Sequence, residues 1–173
     1  DFGNPTVVIV KHNIPCGVAE SDDILLSWKR ALRSDPISAF GGIIALNRPL
    51  TKDLAMEINK IFIEAIIAPS IEKDAIDIFI NKKNVRLLEL DTSDKKLHLK
   101  KRISQISGGF LLQDNNLHNI NKNDLRFVTN RKPSQKELED LLFSYKVVKH
   151  VKSNAIVLAK NKATLGIGSG QTS

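Results

Sequence analysis

Lys11 and His12 stand side by side at the end of the run Thr6-Val7-Val8-Ile9-Val10. Together they offer an ammonium donor and an imidazole able to take or give a proton, the two groups a proton-coupled transfer reaction needs. Three further features accompany them. The string Asp35-Pro36-Ile37-Ser38-Ala39-Phe40-Gly41-Gly42 carries two glycines that let backbone approach a ligand closely. Glu64 opens an apolar run, and Asn154 follows the basic residues 146–152. Each has a plainer reading on its own: a solvated Lys-His pair, a tight loop entering a strand, an edge carboxylate, a polar residue opening a strand.

Other chemistries are poorly supplied. The four histidines, His12, His98, His118 and His150, lie far apart and Cys16 is the one cysteine, so no metal is expected. Pro15-Cys16 is reminiscent of the nucleobase deaminases, yet the second cysteine and the His-x-Glu are missing. The glycines near the C-terminus lack the Lys-Ser/Thr pair of a phosphate loop. The basic residues 95–102 have no interleaved aromatics for base stacking, which favours a solvated surface over a nucleic-acid site.

The elements that must position these groups alternate. The β-branched run before Lys11 predicts a strand buried on both faces, placing Lys11 and His12 at its carboxyl end, the edge where α/β sheets bind ligands. Pro15 and Gly17 are expected to break it. Ser21 is expected to cap a helix bearing Ile24, Leu25, Trp28 and Leu32, which Asp35-Pro36 ends. Next come a strand at 43–46, a helix from Thr51, a strand at 64–68, a helix at 71–81 and a strand at 85–90. Residues 103–106 and 109–113 read as a hairpin across Ser107-Gly108, and residues 115–133 as a polar linker. Ser134 and Glu137 form a capping-box pattern for a helix reaching at least Tyr145. Strands at 154–159 and 164–167 flank an Asn161-Lys162 turn. Phe2, Trp28, Phe62 and Phe79 read as core. The pattern is that of an α/β layered sheet with helices.

With 173 residues and 42% hydrophobic content the chain can bury a core. Its net charge of +7 suits an anionic partner, a phosphorylated metabolite or nucleic acid. A lone cysteine rules out an intrachain disulfide and fits a reducing, cytoplasmic setting. No run approaches the roughly 18 apolar residues of a membrane span, so no membrane partner is expected. Asp1 in place of a methionine and the glycine-rich end, Gly166-Ile167-Gly168-Ser169-Gly170-Gln171, suggest a segment of a longer chain.

These features also occur in one order. Val10-Lys11-His12, Pro15-Cys16-Gly17-Val18-Ala19 and residues 35–48, 64–69, 82–88, 146–159 and 166–171 resemble the bacterial AICAR formyltransferase domain of the bifunctional purine-biosynthesis enzyme, from about Val8 to the last residue. Asn13-Ile14 departs from the family's usual Thr-Asn, and Glu20 and Ser21 stand where glycine is common. The resemblance implies a cytidine-deaminase-like formyltransferase domain without zinc, with 10-formyltetrahydrofolate as cosubstrate and AICAR as acceptor. It puts the family's Lys-His pair on Lys11 and His12, its catalytic asparagine on Asn154 and a nucleotide-contacting acid on Glu64. Ile37, Ser38, Phe40 and Gly41 fall in the loop that lines the substrate cleft. It further implies a homodimer and an IMP cyclohydrolase domain ahead of this one, so that residues 1–173 are a partial formyltransferase domain. The alternatives are an inactive truncated piece of that enzyme, or a non-catalytic basic module, which salt-sensitive nucleic-acid binding would reveal.

Overall fold

The computed structural model describes residues 1–91 and 101–170. Residues 92–100, which include Lys95 and His98, and the last three positions, beginning with Gln171, lie outside the described residues.

The β-branched run forms β1 (Thr6–Lys11). The chain then reverses at once: His12 and Asn13 both have positive φ, 50° and 63°, the two-residue geometry whose twist suits a hairpin. His and Asn are among the side chains that tolerate it. The returning strand is β2 (Ile14–Glu20), so Pro15 and Gly17 do not break the element but lie inside a strand. Two local adjustments admit them. The register passes from Ile9↔Gly17 to Val10↔Pro15, leaving Cys16 as the extra residue of a β-bulge. On its other side β2 pairs through Ala19, at the far end of the strand from Pro15, whose missing N–H is therefore not required.

Helix α1 (Ile24–Ser34) is capped by Asp23, whose Oδ2 accepts the Leu26 N–H at 2.8 Å. Ser21, the expected cap, instead donates its hydroxyl to the Asp23 carbonyl at 2.6 Å. β3 (Gly42–Leu46), α2 (Lys52–Ile58, capped by Thr51), β4 (Ile63–Ala68), α3 (Lys73–Phe79) and β5 (Arg86–Glu89) continue the alternation. A separate hairpin, β6 (Lys101–Ile106) and β7 (Gly109–Asp114), turns at Ser107-Gly108 as expected. The polar stretch beyond it holds one 3-10 turn, Lys122–Asp124. α4 (Gln135–Val148) begins at the predicted capping box of Ser134 and Glu137. β8 (Ile156–Lys160) and β9 (Ala163–Gly168) close the described chain around Asn161 and Lys162, both at φ 55°.

Seven strands make one sheet in the order β5-β4-β3-β1-β2-β9-β8. β3, β4 and β5 are parallel to one another, and every other pairing is antiparallel. On one face Val7, Ile9, Ala19, Ile44 and Ile66 pack with Trp28 and Ala31 of α1, Leu54 and Ile58 of α2, and Phe79 of α3. On the other, Val18 packs with Phe143 and Val147 of α4, joined by Phe2, Val8 and Val157. β1 is thus covered on both sides, as its β-branched run predicted, and β2, which was not expected, shares that cover. Asp140 of α4 also accepts the backbone N–H groups of Asn161 and Lys162 at 2.8 and 2.7 Å, fastening the β8–β9 turn to the helix. Trp28 and Phe79 are core residues, and Phe2 is half-buried against Phe143. Phe62 is not: it is 40% exposed.

Trp28 is 1% exposed and joins α1 to the sheet. Trp28→Ala is expected to lower stability by about 3–5 kcal/mol, read as a fall in the urea midpoint of the intact chain.

Candidate functional site

Lys11 ends β1, and because β1 runs against β3 its end lies beside the start of β3, where Val10 pairs with Ile43. Gly42 in turn pairs with Ile63 at the start of β4. The cluster therefore occupies the amino edge of the three parallel strands, not the carboxyl edge that an all-parallel arrangement would have given it. The antiparallel β1–β2 hairpin inserted in mid-sheet is the reason.

On that edge the 35–42 loop is fixed by its own hydrogen bonds. The Asp35 Oδ1 accepts the Ser38 N–H at 2.9 Å, and the Asp35 and Ala39 carbonyls accept from Ala39 and Gly42 at 3.1 and 3.0 Å. The donors to its carboxyl, the Ser38 N–H first, hold Asp35 below its ordinary pKa. The loop presents Ile37 and Phe40 to solvent at 86% and 60% exposure. It also aims the Phe40 carbonyl at Lys11, whose ammonium donates to it at 2.6 Å. Gly41 makes this approach possible. Its φ is +68°, and a β-carbon there would stand 2.8 Å from the Lys11 Nζ. The Gly41 N–H donates to the Phe62 carbonyl at 2.8 Å, and the Phe62 and Phe40 rings meet at 5.4 Å.

Lys11, Phe40 and Gly41 are thus in contact, and Ile37 and Ser38 belong to the same loop. His12 is exposed in the turn beyond Lys11, and Glu64 is exposed one residue into β4, at the same edge. Asn154 lies two residues before β8 rather than opening it. β8 is parallel to β2, so Asn154 also reaches this edge, but on the far side of β2 and β9. Its segment is set by Gly170, whose N–H donates to the Lys152 carbonyl at 2.9 Å and whose absent side chain leaves room for the Ser153 carbonyl. Sequence reasoning missed Phe62, reading an aromatic beside a strand as core, and missed Gly170 as a support; the close spacing of glycines there was the available signal.

Cys16 is a poor nucleophile or metal ligand at neutral pH. Burial, reinforced by the Asp35 charge, pushes its thiol up to about 11. Its Sγ reaches the Ile9 carbonyl at 3.5 Å. No group of three or more His, Cys, Asp or Glu gathers among the described residues. Two large clefts lie elsewhere. One of about 820 Å³ runs between α4 and β8, lined by Arg131, Asp140 and Leu158, and one of about 590 Å³ is lined by Arg102, Lys149 and His150. Neither includes a residue of the Lys11 cluster, of which His12, Phe40 and Glu64 are exposed.

A family model described as the AICARFT/IMPCHase bienzyme matches residues 1–173. The bifunctional purine biosynthesis protein PurH of Caldicellulosiruptor saccharolyticus is 49% identical over 172 residues, 99% of this chain and 33% of that protein. Those of Acetivibrio thermocellus and Persephonella marina are 50% and 51% identical, over 99% and 100% of this chain and 34% and 33% of theirs. The chain spans about a third of the length of these curated relatives.

Gly41→Ala combines a left-handed backbone with a displaced ammonium. It is expected to cost about 1–2 kcal/mol in chemical denaturation and to remove the Lys11–Phe40 hydrogen bond, visible as a shift of the Phe40 carbonyl carbon resonance.

Proposed function

We propose, from the premise that this chain belongs to the AICARFT/IMPCHase bienzyme family, that it supplies one wall of a site transferring a formyl group from 10-formyltetrahydrofolate to the 5-amino group of AICAR. The observation that carries this reading is the Lys11 ammonium drawn onto the Phe40 carbonyl beside Gly41, within residues matched by the family along their whole length.

The acceptor is an aromatic amine, a poor nucleophile because its lone pair is delocalised into the imidazole and carboxamide. Its attack on the formyl carbon forms a new C–N bond and leaves an oxyanion; collapse breaks the bond to the folate nitrogen. One proton must leave the amine and one must reach that folate nitrogen. His12 is assigned the first transfer and, as its conjugate acid, the return. Positioned acid–base catalysis of this kind contributes roughly 10²- to 10⁴-fold. Lys11 spends one of its three donors on Phe40, leaving two for the developing oxyanion. Asn154 is assigned to orient His12 or to donate to the same oxygen, and Glu64 to hold the nucleotide. Ile37, Ser38, Phe40 and Gly41 line the acceptor side.

The net charge of +7 suits a phosphorylated acceptor. Because His12, Ile37 and Phe40 are exposed and the relatives are about three times as long, the opposing wall is assigned to the remainder of the parent protein, working as a cytoplasmic homodimer. No helix among the described residues is long and apolar enough to cross a membrane.

Isothermal titration with AICAR tests the reading. The intact chain is expected to bind saturably and the Lys11→Ala, His12→Ala double variant to lose that binding; a folded chain that binds nothing refutes a site formed within these residues. In the parent enzyme, His12→Ala is expected to lower turnover by about 10²- to 10⁴-fold with a much smaller change in AICAR affinity, and near-normal turnover removes the acid–base role.

A further inference from the structure

Phe62 is the residue on this edge that neither the resemblance nor the proposed chemistry uses. It stands between two core anchors: Ile63 is 1% exposed, and Ile61 packs against the main core. The backbone at 61–63 is therefore anchored on either side of Phe62, yet Phe62 itself is 40% exposed. Its contacts run to the Lys11 cluster. The carbonyl accepts the Gly41 N–H at 2.8 Å, the ring meets the Phe40 ring at 5.4 Å, and a β-carbon on Gly41 would come within 3.5 Å of the Phe62 Cε1. One residue thus holds both neighbours of the Phe40–Gly41 peptide, and the carbonyl of that peptide is the one that takes the Lys11 ammonium at 2.6 Å.

We infer that Phe62 is a positioning residue: held between the buried Ile63 and the core-packed Ile61, it clamps Phe40 and Gly41 and so sets where the Lys11 ammonium is presented. Its relevance to catalysis rests on the reading that Lys11 serves formyl transfer; the clamp itself does not. The ring and the carbonyl act as two restraints on one peptide. An aliphatic side chain keeps the carbonyl bond but loses the ring contact, which otherwise limits the swing of an exposed Phe40.

The test is competitive acylation of the intact 173-residue chain with trace acetic anhydride at several pH values, with each lysine read by peptide mass spectrometry. In Phe62→Ala the Lys11 labelling rate is expected to rise about fivefold, the change expected from losing one ordinary hydrogen bond, while Lys29 and Lys136 keep their rates. Phe62→Tyr, which retains ring and carbonyl, is expected to restore the Lys11 rate. Unchanged Lys11 labelling in Phe62→Ala overturns the inference. So does a rise shared by all lysines, which reports general loosening, and so does a Phe62→Tyr chain that behaves like Phe62→Ala. The labelling needs no AICAR, so a failed clamp and a failed formyltransferase reading give separate results.

Discussion

The fold depends on hiding both faces of the β1–β2 hairpin. A strand as apolar as Thr6 to Val10 cannot leave either side in water, and burial of each large side chain is worth roughly 1.5–3 kcal/mol. α1, α2 and α3 answer on the face of Val7, Ile9 and Ala19, and α4 answers on the face of Val8 and Val18. α4 is tied on that face to β8 and β9 as well, through Asp140 and the Asn161–Lys162 turn. The layering of helices on both faces follows from this one requirement, and the antiparallel pairing of β2, β9 and β8 then brings Asn154 to the Lys11 edge.

The hairpin also decides what kind of edge the site occupies. In an all-parallel sheet the carboxyl ends of the strands would gather the ligand groups. Here an antiparallel pair in mid-sheet brings the end of β1 to the starts of β3 and β4. The local electrostatics are correspondingly those of individual backbone groups. The Phe40 carbonyl takes a cation, and the Asp35 carboxylate takes a backbone N–H. Both belong to a loop that a single left-handed glycine allows to close.

Much of this was readable from residue types. The run before Lys11, the helix start at Thr51, the Ser134 capping box and the Ser107-Gly108 turn each carry a local signal, and each forms as that signal says. What failed depended on distant partners or, at Ser21, on competition between two neighbouring caps. Pro15 and Gly17 read as breakers because nothing local reveals a bulge at Cys16 or a neighbour that pairs at Ala19 alone. Asp23 outcompetes Ser21 as a cap because Ser21 is drawn toward the Asp23 carbonyl and Ser27. Phe62 looks like core from its flanks, Ile61 and Ile63, and only the position of the 35–42 loop gives its ring another task. For the candidate site, the resemblance put Lys11 and the 35–42 loop at one cleft, while the contact of Lys11 with Phe40, the edge it occupies and the support of Asn154 by Gly170 required the structure.

The two tight hairpins, His12-Asn13 and Asn161-Lys162, share one backbone geometry but differ in what their side chains are for. A left-handed non-glycine residue costs about 1–2 kcal/mol, so each turn would gain from glycine. At Lys162 that gain carries only the loss of its ion pairs with Glu20 and Glu139. At His12 it would erase the imidazole. Selection for folding alone would therefore favour glycine at both turns, and at position 12 it would discard the one side chain of that turn able to exchange a proton near neutral pH.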